Sequence, residues 1–390
     1  MHTSLPKPDA EALAHSQALK NMIQQDIVAN NGWLSFAQFM DAALYKPGFG
    51  YYSGGAKKFG MAGDFVTAPE ISPLFAKTIA RQAAEILGAL QHKNIHGSIL
   101  ELGAGTGRLA KDLMLELAHL GQLPKRYMIL EVSAYLREVQ QTSMKAALPP
   151  EIMSRIVWLD ALPDSFDGLM FANEVLDALP VHIVRQEAGA VVELGVAVDG
   201  GEFVWQAQLI SDSSMRNFIA QLHLPEGYTT EVCPAASALV ASLASKLNHG
   251  GVIMVDYGFS RAEYYHPQRN QGTLMCHYRH HAHDDPMLYL GLQDITAHVD
   301  FSRVAEAGVD SGLQLMGFLT QAQFLINAGI TELLQTIPAS DAANYLPLVA
   351  SAQKLLSPAE MGDLFKVIAF EKNLDMPLIG FSSGDKTHTL

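Results

Sequence analysis

The chain has 390 residues, of which 49% are hydrophobic and 17% are charged. This composition predicts a well-packed globular protein with room for a core of ordinary size and a second lobe, and it excludes a disordered chain. The formal net charge of −14 argues against a nucleic-acid partner, because binding phosphates requires an excess of Lys and Arg, and it suits a basic partner better.

The N-terminal sequence has neither an apolar signal segment nor an Arg-rich amphipathic pattern, and no apolar stretch is long enough to span a bilayer. The two cysteines, Cys233 and Cys276, predict a reducing compartment and no disulfide framework. We therefore expect a cytoplasmic protein without a membrane span.

The chain opens with helical sequence to about Met40, and Ser35 is placed to cap the helix that follows it. Residues 45–73 are rich in glycine, proline and aromatic side chains, and so long a loop predicts a functional segment. Helical periodicity resumes over residues 74–90.

The central region alternates between apolar strand candidates and helices, which predicts an α/β fold with a parallel sheet covered on both faces. Residues 182–209 read as an inserted antiparallel hairpin around Gly200 and Gly201, and residues 260–300 form a second excursion. The predicted strands are 98–102, 127–132, 155–159, 168–172 and 251–257, with helices at 107–120 and 134–147 and closing strands at 313–318 and 365–372.

A glycine turn after the first of these strands is the most informative motif. Gly103, Gly105 and Gly107 alternate between strand and helix, and glycines there let the backbone pass close to a ligand. Glu101 precedes them, and a carboxylate disfavours phosphate but suits a cationic nucleoside such as S-adenosylmethionine (SAM). A nicotinamide-dependent dehydrogenase is the alternative, but its G-x-G-x-x-G fingerprint places the third glycine one position later.

Polar residues at the ends of the next strands extend the predicted cofactor site. Glu131 ends the second strand, where a ribose-binding acid is expected. Asp160 follows the third strand and is a candidate acceptor for the adenine amino group, with a turn role as the alternative. Asn173 and Glu174 follow the fourth strand and are expected in the ligand crevice, where a methyl acceptor would lie.

Three side chains are candidates for catalysis. Glu174 and Asp177 lie one helical turn apart, so their carboxylates can share a face, although acids at a helix N-terminus also complement the helix dipole. His298 is a candidate proton acceptor beside Asp300, for which capping the next helix is the alternative. The histidines and aspartates over residues 277–285 lack a recognised zinc spacing, so no metal is predicted.

Together these motifs resemble those of the MidA-type SAM-dependent methyltransferases, the family of the mitochondrial complex I assembly methyltransferase and its bacterial relatives. The resemblance covers nearly the whole chain. It rests on residues 47–52 (PGFGYY), 59–75 (FGMAGDFVTAPEISPLF), 101–110 (ELGAGTGRLA), 173–182 (NEVLDALPVH), 255–258 (VDYG) and 294–301 (DITAHVDF).

The resemblance implies a class I, Rossmann-like methyltransferase fold. Such a fold has a mostly parallel seven-stranded sheet, here with an N-terminal helical and loop lobe and with insertions that form an acceptor lobe. The implied activity is methyl transfer from SAM to an arginine of a protein partner, which is an NADH dehydrogenase subunit for mitochondrial members. The absence of a targeting extension points to a bacterial-type protein.

The same resemblance places SAM contacts at Gly103, Gly105, Glu131 and Asp160. It also implies that Thr67, Pro69 and Glu70 belong to a lid, for which Gly60 and Gly63 are candidate hinges.

Four segments are predicted along the chain. Residues 1–80 form a helical segment and lid loop, 81–180 the SAM-binding half of the core, and 181–250 an inserted hairpin and helix. Residues 251–390 complete the core, with an insertion at 259–300 in the acceptor lobe. Besides a protein arginine methyltransferase, a methyltransferase for another acceptor and a non-catalytic SAM-binding assembly factor stay open, since a fold does not fix its acceptor.

Overall fold

The computed structural model describes residues 5–54, 67–336, 338 and 340–390. The chain divides into two units, each with its own core. Unit 1 comprises Met1–Phe65, Asp177–Ala236 and Arg261–His298, and unit 2 comprises Val66–Leu176, Ser237–Ser260 and Val299–Leu390.

Helices and strands alternate along much of the described chain. The α-helices are α1 (Ala10–Ala29), α2 (Phe36–Tyr45), α3 (Ala68–Ile71), α4 (Pro73–His92), α5 (Arg108–His119), α6 (Ala134–Ala147), α7 (Pro150–Met153), α8 (Ser213–Gln221), α9 (Pro234–Lys246), α10 (Arg261–Tyr264), α11 (Phe301–Asp310), α12 (Gln321–Asn327), α13 (Ile330–Gln335) and α14 (Ala342–Leu356). The strands are β1 (Leu34–Ser35), β2 (Ser98–Leu102), β3 (Tyr127–Leu130), β4 (Ile156–Leu159), β5 (Phe166–Asn173), β6 (His182–Glu187), β7 (Ala190–Asp199), β8 (Glu202–Leu209), β9 (Thr229–Val232), β10 (Leu247–Phe259), β11 (Met275–Tyr278), β12 (His281–His283), β13 (Asp294–Thr296), β14 (Val299–Asp300), β15 (Gln314–Thr320) and β16 (Phe365–Lys372).

Unit 2 is built on one sheet with the strand order β15-β16-β10-β5-β2-β3-β4, and the short strand β14 pairs with β10. The neighbours from β4 to β10 pair in parallel, whereas β16 runs antiparallel to both β10 and β15. All five residues of β2 are buried, as expected for a strand covered on both faces. The predicted α/β fold is therefore confirmed.

The sheet of unit 2 brings three backbones close together at the start of its central strands. A Cβ atom on Gly168 would lie 1.8 Å from the Ser98 carbonyl oxygen, and one on Gly250 would lie 1.9 Å from the Gly168 carbonyl oxygen. Both residues also have positive φ angles, so these two positions require glycine. In the register at the other end of these strands, Leu102 of β2 pairs with Ala172 of β5, and Asn173 of β5 pairs with Val255 of β10.

Apolar faces of α4 and α5 cover the sheet of unit 2. Ile79, Ile86 and Leu90 of α4 are fully buried, and Leu113 and Leu117 of α5 join the same core. Burial of such aliphatic side chains is worth about 1.5–3 kcal/mol each, and it fixes both helices against the sheet.

Unit 1 contains two smaller sheets. In the first sheet the strand order is β1-β7-β6-β9, and β8 also pairs with β7. In the second sheet the order is β12-β11-β13. The predicted hairpin around Gly200 and Gly201 is confirmed, since β7 and β8 pair antiparallel across that turn.

The predicted cap at Ser35 is also confirmed in unit 1. The Ser35 hydroxyl accepts the Gln38 N–H at 3.2 Å, and the Gln38 side-chain oxygen accepts the Ser35 N–H at 3.0 Å, which completes a capping box. The helix α2 behind this cap buries Phe36, Phe39 and Met40 in the core of unit 1.

Some boundaries differ from those predicted from the sequence. The strand predicted at 127–132 ends at Leu130, because Glu131 turns inward to bond the backbone of Ser133. The long loop predicted at 45–73 contains the short helix α3, and α4 crosses the segment boundary predicted at residue 80. Across the described ranges, no helix combines the length and apolar character that crossing a membrane requires.

Candidate functional site

The glycine turn of unit 2 joins β2 to α5. Gly103, Gly105 and Gly107 have φ angles of +60°, +53° and +81°, a conformation that L-residues rarely adopt. A Cβ atom on Gly105 would meet no described atom within 4 Å, whereas one on Gly107 would lie 2.6 Å from the Met144 side chain. The turn therefore leaves open space at Gly105 and packs tightly at Gly107.

A buried carboxylate lies in the strand that leads into this turn. Glu101 is 2% exposed, and its carboxylate accepts a hydrogen bond of 2.7 Å from the Tyr127 hydroxyl. The pKa of Glu101 is raised to about 7, chiefly by burial; the hydrogen bond from Tyr127 opposes the rise and nearby Glu131 adds to it. Such a group favours a cationic ligand, whose charge would stabilise the ionised form.

A second buried acid lies at the end of β3. Glu131 accepts hydrogen bonds from the Ser133 N–H at 2.9 Å and from the Gln140 side chain at 3.1 Å. Burial raises the pKa of Glu131 even though these bonds oppose the rise. Its position suits a ligand hydroxyl, as predicted for a ribose.

Gln140 of α6 is a site residue that the sequence did not single out. Its amide nitrogen donates to the Gly105 carbonyl oxygen at 2.9 Å as well as to Glu131, and its oxygen accepts from the Trp158 indole at 2.8 Å. It is fully buried and ties the turn to β3 and β4. A single glutamine in an amphipathic helix gives no sequence signal for this role.

Asp160 lies at the end of β4 and is largely exposed. One carboxylate oxygen accepts a hydrogen bond of 2.6 Å from Arg137, which also donates to the Glu131 carbonyl oxygen at 2.6 Å. The structure therefore places Asp160 beside the Glu131 backbone through a shared arginine.

The residues predicted as a lid are only partly described. Thr67 precedes α3, Pro69 is buried, and Glu70 accepts a hydrogen bond from the Thr106 hydroxyl in the glycine turn. Residues 55–66, which include the candidate hinges Gly60 and Gly63, lie outside the described residues.

The carboxyl end of β5 carries Asn173 and Glu174. The Asn173 amide nitrogen donates to the Glu174 carboxylate at 2.9 Å, and the buried Asn173 Oδ1 has no hydrogen-bond partner within the described residues. Glu174 has a φ of +53°, which is unusual for a residue other than glycine. A buried acceptor without a partner and a strained acid together indicate a ligand site.

The other two catalytic candidates lie in unit 1. The Asp177 carbonyl oxygen accepts the Ala297 N–H at 3.0 Å, and the next residue, His298, donates its backbone N–H to the Thr273 hydroxyl at 3.1 Å. Asp177 and His298 thus lie on neighbouring segments of unit 1, whereas Glu174 belongs to unit 2. Asp300, in unit 2, caps α11 by accepting the Arg303 N–H.

The His-rich segment of unit 1 forms the hairpin of β11 and β12, in which Cys276 pairs with His283. Over the described ranges, no group of three or more His, Cys, Asp or Glu side chains is arranged to hold a metal ion.

The residues of unit 2 fit the cationic nucleoside that the sequence predicts. The turn is open at Gly105, buried carboxylates lie at Glu101 and Glu131, and Asn173 Oδ1 offers an acceptor. A pyrophosphate is disfavoured, because its negative charges would be repelled by these carboxylates.

Comparisons with known proteins agree with this chemistry. Residues 78–319 match a family model described as "Putative S-adenosyl-L-methionine-dependent methyltransferase". The protein arginine methyltransferase NDUFAF7, mitochondrial, from Danio rerio is 28% identical over 90% of this chain and 89% of its own length, and the Mus musculus protein of that name is 28% identical over 88% and 82%. A Burkholderia thailandensis protein solved with bound S-adenosyl-homocysteine is 48% identical, covers 99% of this chain and 100% of its own, and superposes with a TM-score of 0.95.

Proposed function

The chain belongs to the family of S-adenosyl-L-methionine-dependent methyltransferases, and we propose that its acceptor is an arginine side chain of a protein partner. The family match and the structure bound to S-adenosyl-homocysteine establish a SAM-dependent methyltransferase. Arginine is supported by the relatives from Danio rerio and Mus musculus, which are named protein arginine methyltransferases.

The residues proposed to hold SAM all lie in unit 2. SAM supplies an electrophilic methyl group on a sulfonium. Glu101 would pair with the ammonium group of the cofactor, Glu131 would accept hydrogen bonds from the ribose hydroxyls, and the second oxygen of Asp160 would accept a hydrogen bond from the adenine amino group. The full set is Thr67, Pro69, Glu70, Glu101, Gly103, Gly105, Gly107, Glu131, Asp160 and Asn173.

One observation carries the choice of arginine, namely the carboxylate of Glu174 held by Asn173 at the carboxyl end of β5. A guanidinium has a pKa above about 12 and a delocalised lone pair, so it is a poor nucleophile. A carboxylate can bind the guanidinium, localise its charge away from one nitrogen, and accept the proton which that nitrogen loses. Asp177 and His298 stay predictions as a second carboxylate and a proton relay.

The test uses extract from a strain that lacks this protein, incubated with the purified enzyme and SAM labelled in its methyl group. A respiratory NADH dehydrogenase subunit is the first acceptor to assay, since the resemblance predicts it. We expect a labelled protein band whose hydrolysate contains methylarginine. Label in another amino acid would overturn arginine as the acceptor, and binding of S-adenosyl-homocysteine without any transfer would favour a non-catalytic assembly factor.

Glu174→Gln should lower kcat by at least about 100-fold because the amide cannot accept a proton, and it should change the affinity for S-adenosyl-homocysteine less than about twofold. Calorimetry and the labelling assay measure the two quantities. Glu138→Gln is the matched control, since it makes the same change at an exposed position of α6 in unit 2. A loss of S-adenosyl-homocysteine binding in Glu174→Gln would instead place Glu174 in the cofactor site.

A further inference from the structure

Asp256 is a buried acid of unit 2 that has no part in the function proposed so far. It lies near the carboxyl end of β10, which pairs in parallel with β5 so that Val255 stands opposite Asn173. Its side chain is 1% exposed. The VDYG segment that contains it is one of the motifs in the family resemblance, and the end of a central strand is where ligand-site residues are expected.

The carboxylate of Asp256 binds the turn that follows Glu174. Its Oδ2 atom accepts the N–H of Val175 at 3.2 Å and the N–H of Leu176 at 2.9 Å, while its Oδ1 atom accepts the N–H of Tyr257 at 2.9 Å. One buried carboxyl group thus satisfies two consecutive N–H groups of the turn, which fixes the backbone of those residues.

Glu174 needs such support because of its own backbone conformation. Its φ of +53° is left-handed and unfavourable for a residue with a Cβ atom. Its N–H donates to the Val255 carbonyl oxygen at 2.9 Å, so three consecutive N–H groups, from 174 to 176, are bound by Val255 and Asp256. Strain at a site residue persists only where the surroundings fix it, and here β10 provides the fixing groups.

We propose that Asp256 is a positioning residue that holds Glu174 in its left-handed conformation, so that the carboxylate faces the acceptor nitrogen. Asn173 orients the carboxylate from one side, and Asp256 fixes the backbone that carries it. This inference rests on the proposed role of Glu174. It does not require the acceptor to be arginine, because any acceptor that loses a proton to Glu174 depends on the same geometry.

The test compares Asp256→Ala with Glu371→Ala as the matched control. Glu371 of β16 is also a buried acid that accepts two backbone N–H groups, those of Leu374 and Asp375. It pairs with Gly251, toward the other end of β10 from Asp256. Glu371 therefore also fixes backbone N–H groups, but those groups do not belong to the turn after Glu174. Both substitutions should lower the unfolding midpoint, but only Asp256→Ala should lower kcat.

In the labelling assay we expect Asp256→Ala to lower kcat by about 30-fold to 100-fold, since displacement of a catalytic group by about 1 Å has effects of that size. The affinity for S-adenosyl-homocysteine should stay within about twofold. Asp256→Asn should restore part of the rate, because its oxygen can still accept the Val175 and Leu176 N–H groups.

A double-mutant cycle separates positioning from a general loss of structure. If Asp256 acts through Glu174, adding Asp256→Ala to Glu174→Gln should lower kcat by no more than about threefold further. Losses that multiply, or an equal loss of kcat in Glu371→Ala, would overturn the proposal.

Hydrogen exchange gives a readout that does not need turnover. The amides of Val175 and Leu176 should exchange faster in Asp256→Ala and at the wild-type rate in Glu371→Ala. Unchanged exchange in Asp256→Ala would overturn the inference even if the wild type transferred no methyl group. Methyl label on a residue other than arginine would overturn only the proposed acceptor.

Discussion

At the scale of single residues, Glu101 is the buried acid proposed to pair with the positive charge of the cofactor. Burial raises its pKa to about 7, so the neutral form is favoured in the folded protein below that pH. Since the folded pKa lies above the ordinary value of 4.5, the stability gained by keeping Glu101 neutral is complete below about pH 4.5. It is lost as the pH rises to about 7. A bound cation offsets that loss.

The affinity for S-adenosyl-homocysteine should therefore rise with pH. In the proposed site only the ionised form of Glu101 would pair with the ligand's ammonium group, so a pKa near 7 predicts an increase in affinity of about 15-fold between pH 5.5 and pH 7. Calorimetry at a series of pH values measures this, and Glu101→Gln should remove most of the rise.

Tyr127→Phe provides the matched control for that pH dependence. In the wild type, the Tyr127 hydroxyl donates to Glu101 and stabilises its ionised form. Removing this hydroxyl should therefore move the midpoint of the affinity curve to higher pH. A rise that persists unchanged in Glu101→Gln would assign the titration to Glu131 instead.

At the scale of elements, two glycines of the glycine turn are predicted to have different roles, Gly105 in ligand binding and Gly107 in packing. Gly105→Ala adds a methyl group where no described atom lies within 4 Å, and its left-handed φ costs about 1–2 kcal/mol. We expect loss of S-adenosyl-homocysteine affinity by at least about tenfold with a modest loss of stability, because the methyl group occupies the open space of the turn.

Gly107→Ala tests the side of the turn that packs against α6. Its methyl group would press on Met144 and Gln140 of α6, so overpacking adds to the backbone strain and the free energy of unfolding should fall by about 2–4 kcal/mol. Urea unfolding of both variants, with calorimetry for binding, checks the contrast. Equal destabilisation by the two substitutions would contradict the division of roles.

The sequence predicted elements well where a local pattern determines them. Ser35 caps α2 because a hydroxyl three residues before Gln38 forms a capping box. The strand at 98–102 has the predicted bounds because its apolar residues are followed at once by the glycine turn. The β7–β8 turn followed from adjacent glycines between alternating strands.

The rest of the site depends on contacts between distant segments, which no local pattern reports. Gln140 touches the turn only because α6 packs beside it, and Asp256 reaches the Glu174 turn only because β10 pairs with β5. The positive φ of Glu174 is likewise invisible in the sequence. These contacts arise from tertiary packing, which brings together residues that are far apart in the sequence.

At the scale of the whole molecule, the excess of 40 acidic over 26 basic residues affects which acceptors approach easily. A protein partner that presents arginine in a basic surface is attracted by the net charge of −14, and this attraction weakens as salt screens it. Binding of S-adenosyl-homocysteine at the site proposed in unit 2 would depend on short-range contacts, which salt screens much less.

We therefore expect kcat/KM for a basic protein acceptor to fall about threefold to tenfold as ionic strength rises from about 0.05 M to about 0.3 M. The affinity for S-adenosyl-homocysteine should change less than about twofold over that range. A neutral peptide with one arginine serves as the control acceptor, because it lacks the surface charge that long-range attraction requires. If its kcat/KM fell as steeply as that of the basic protein, the salt effect would belong to the site itself, and the acidic surface would have no part in acceptor capture.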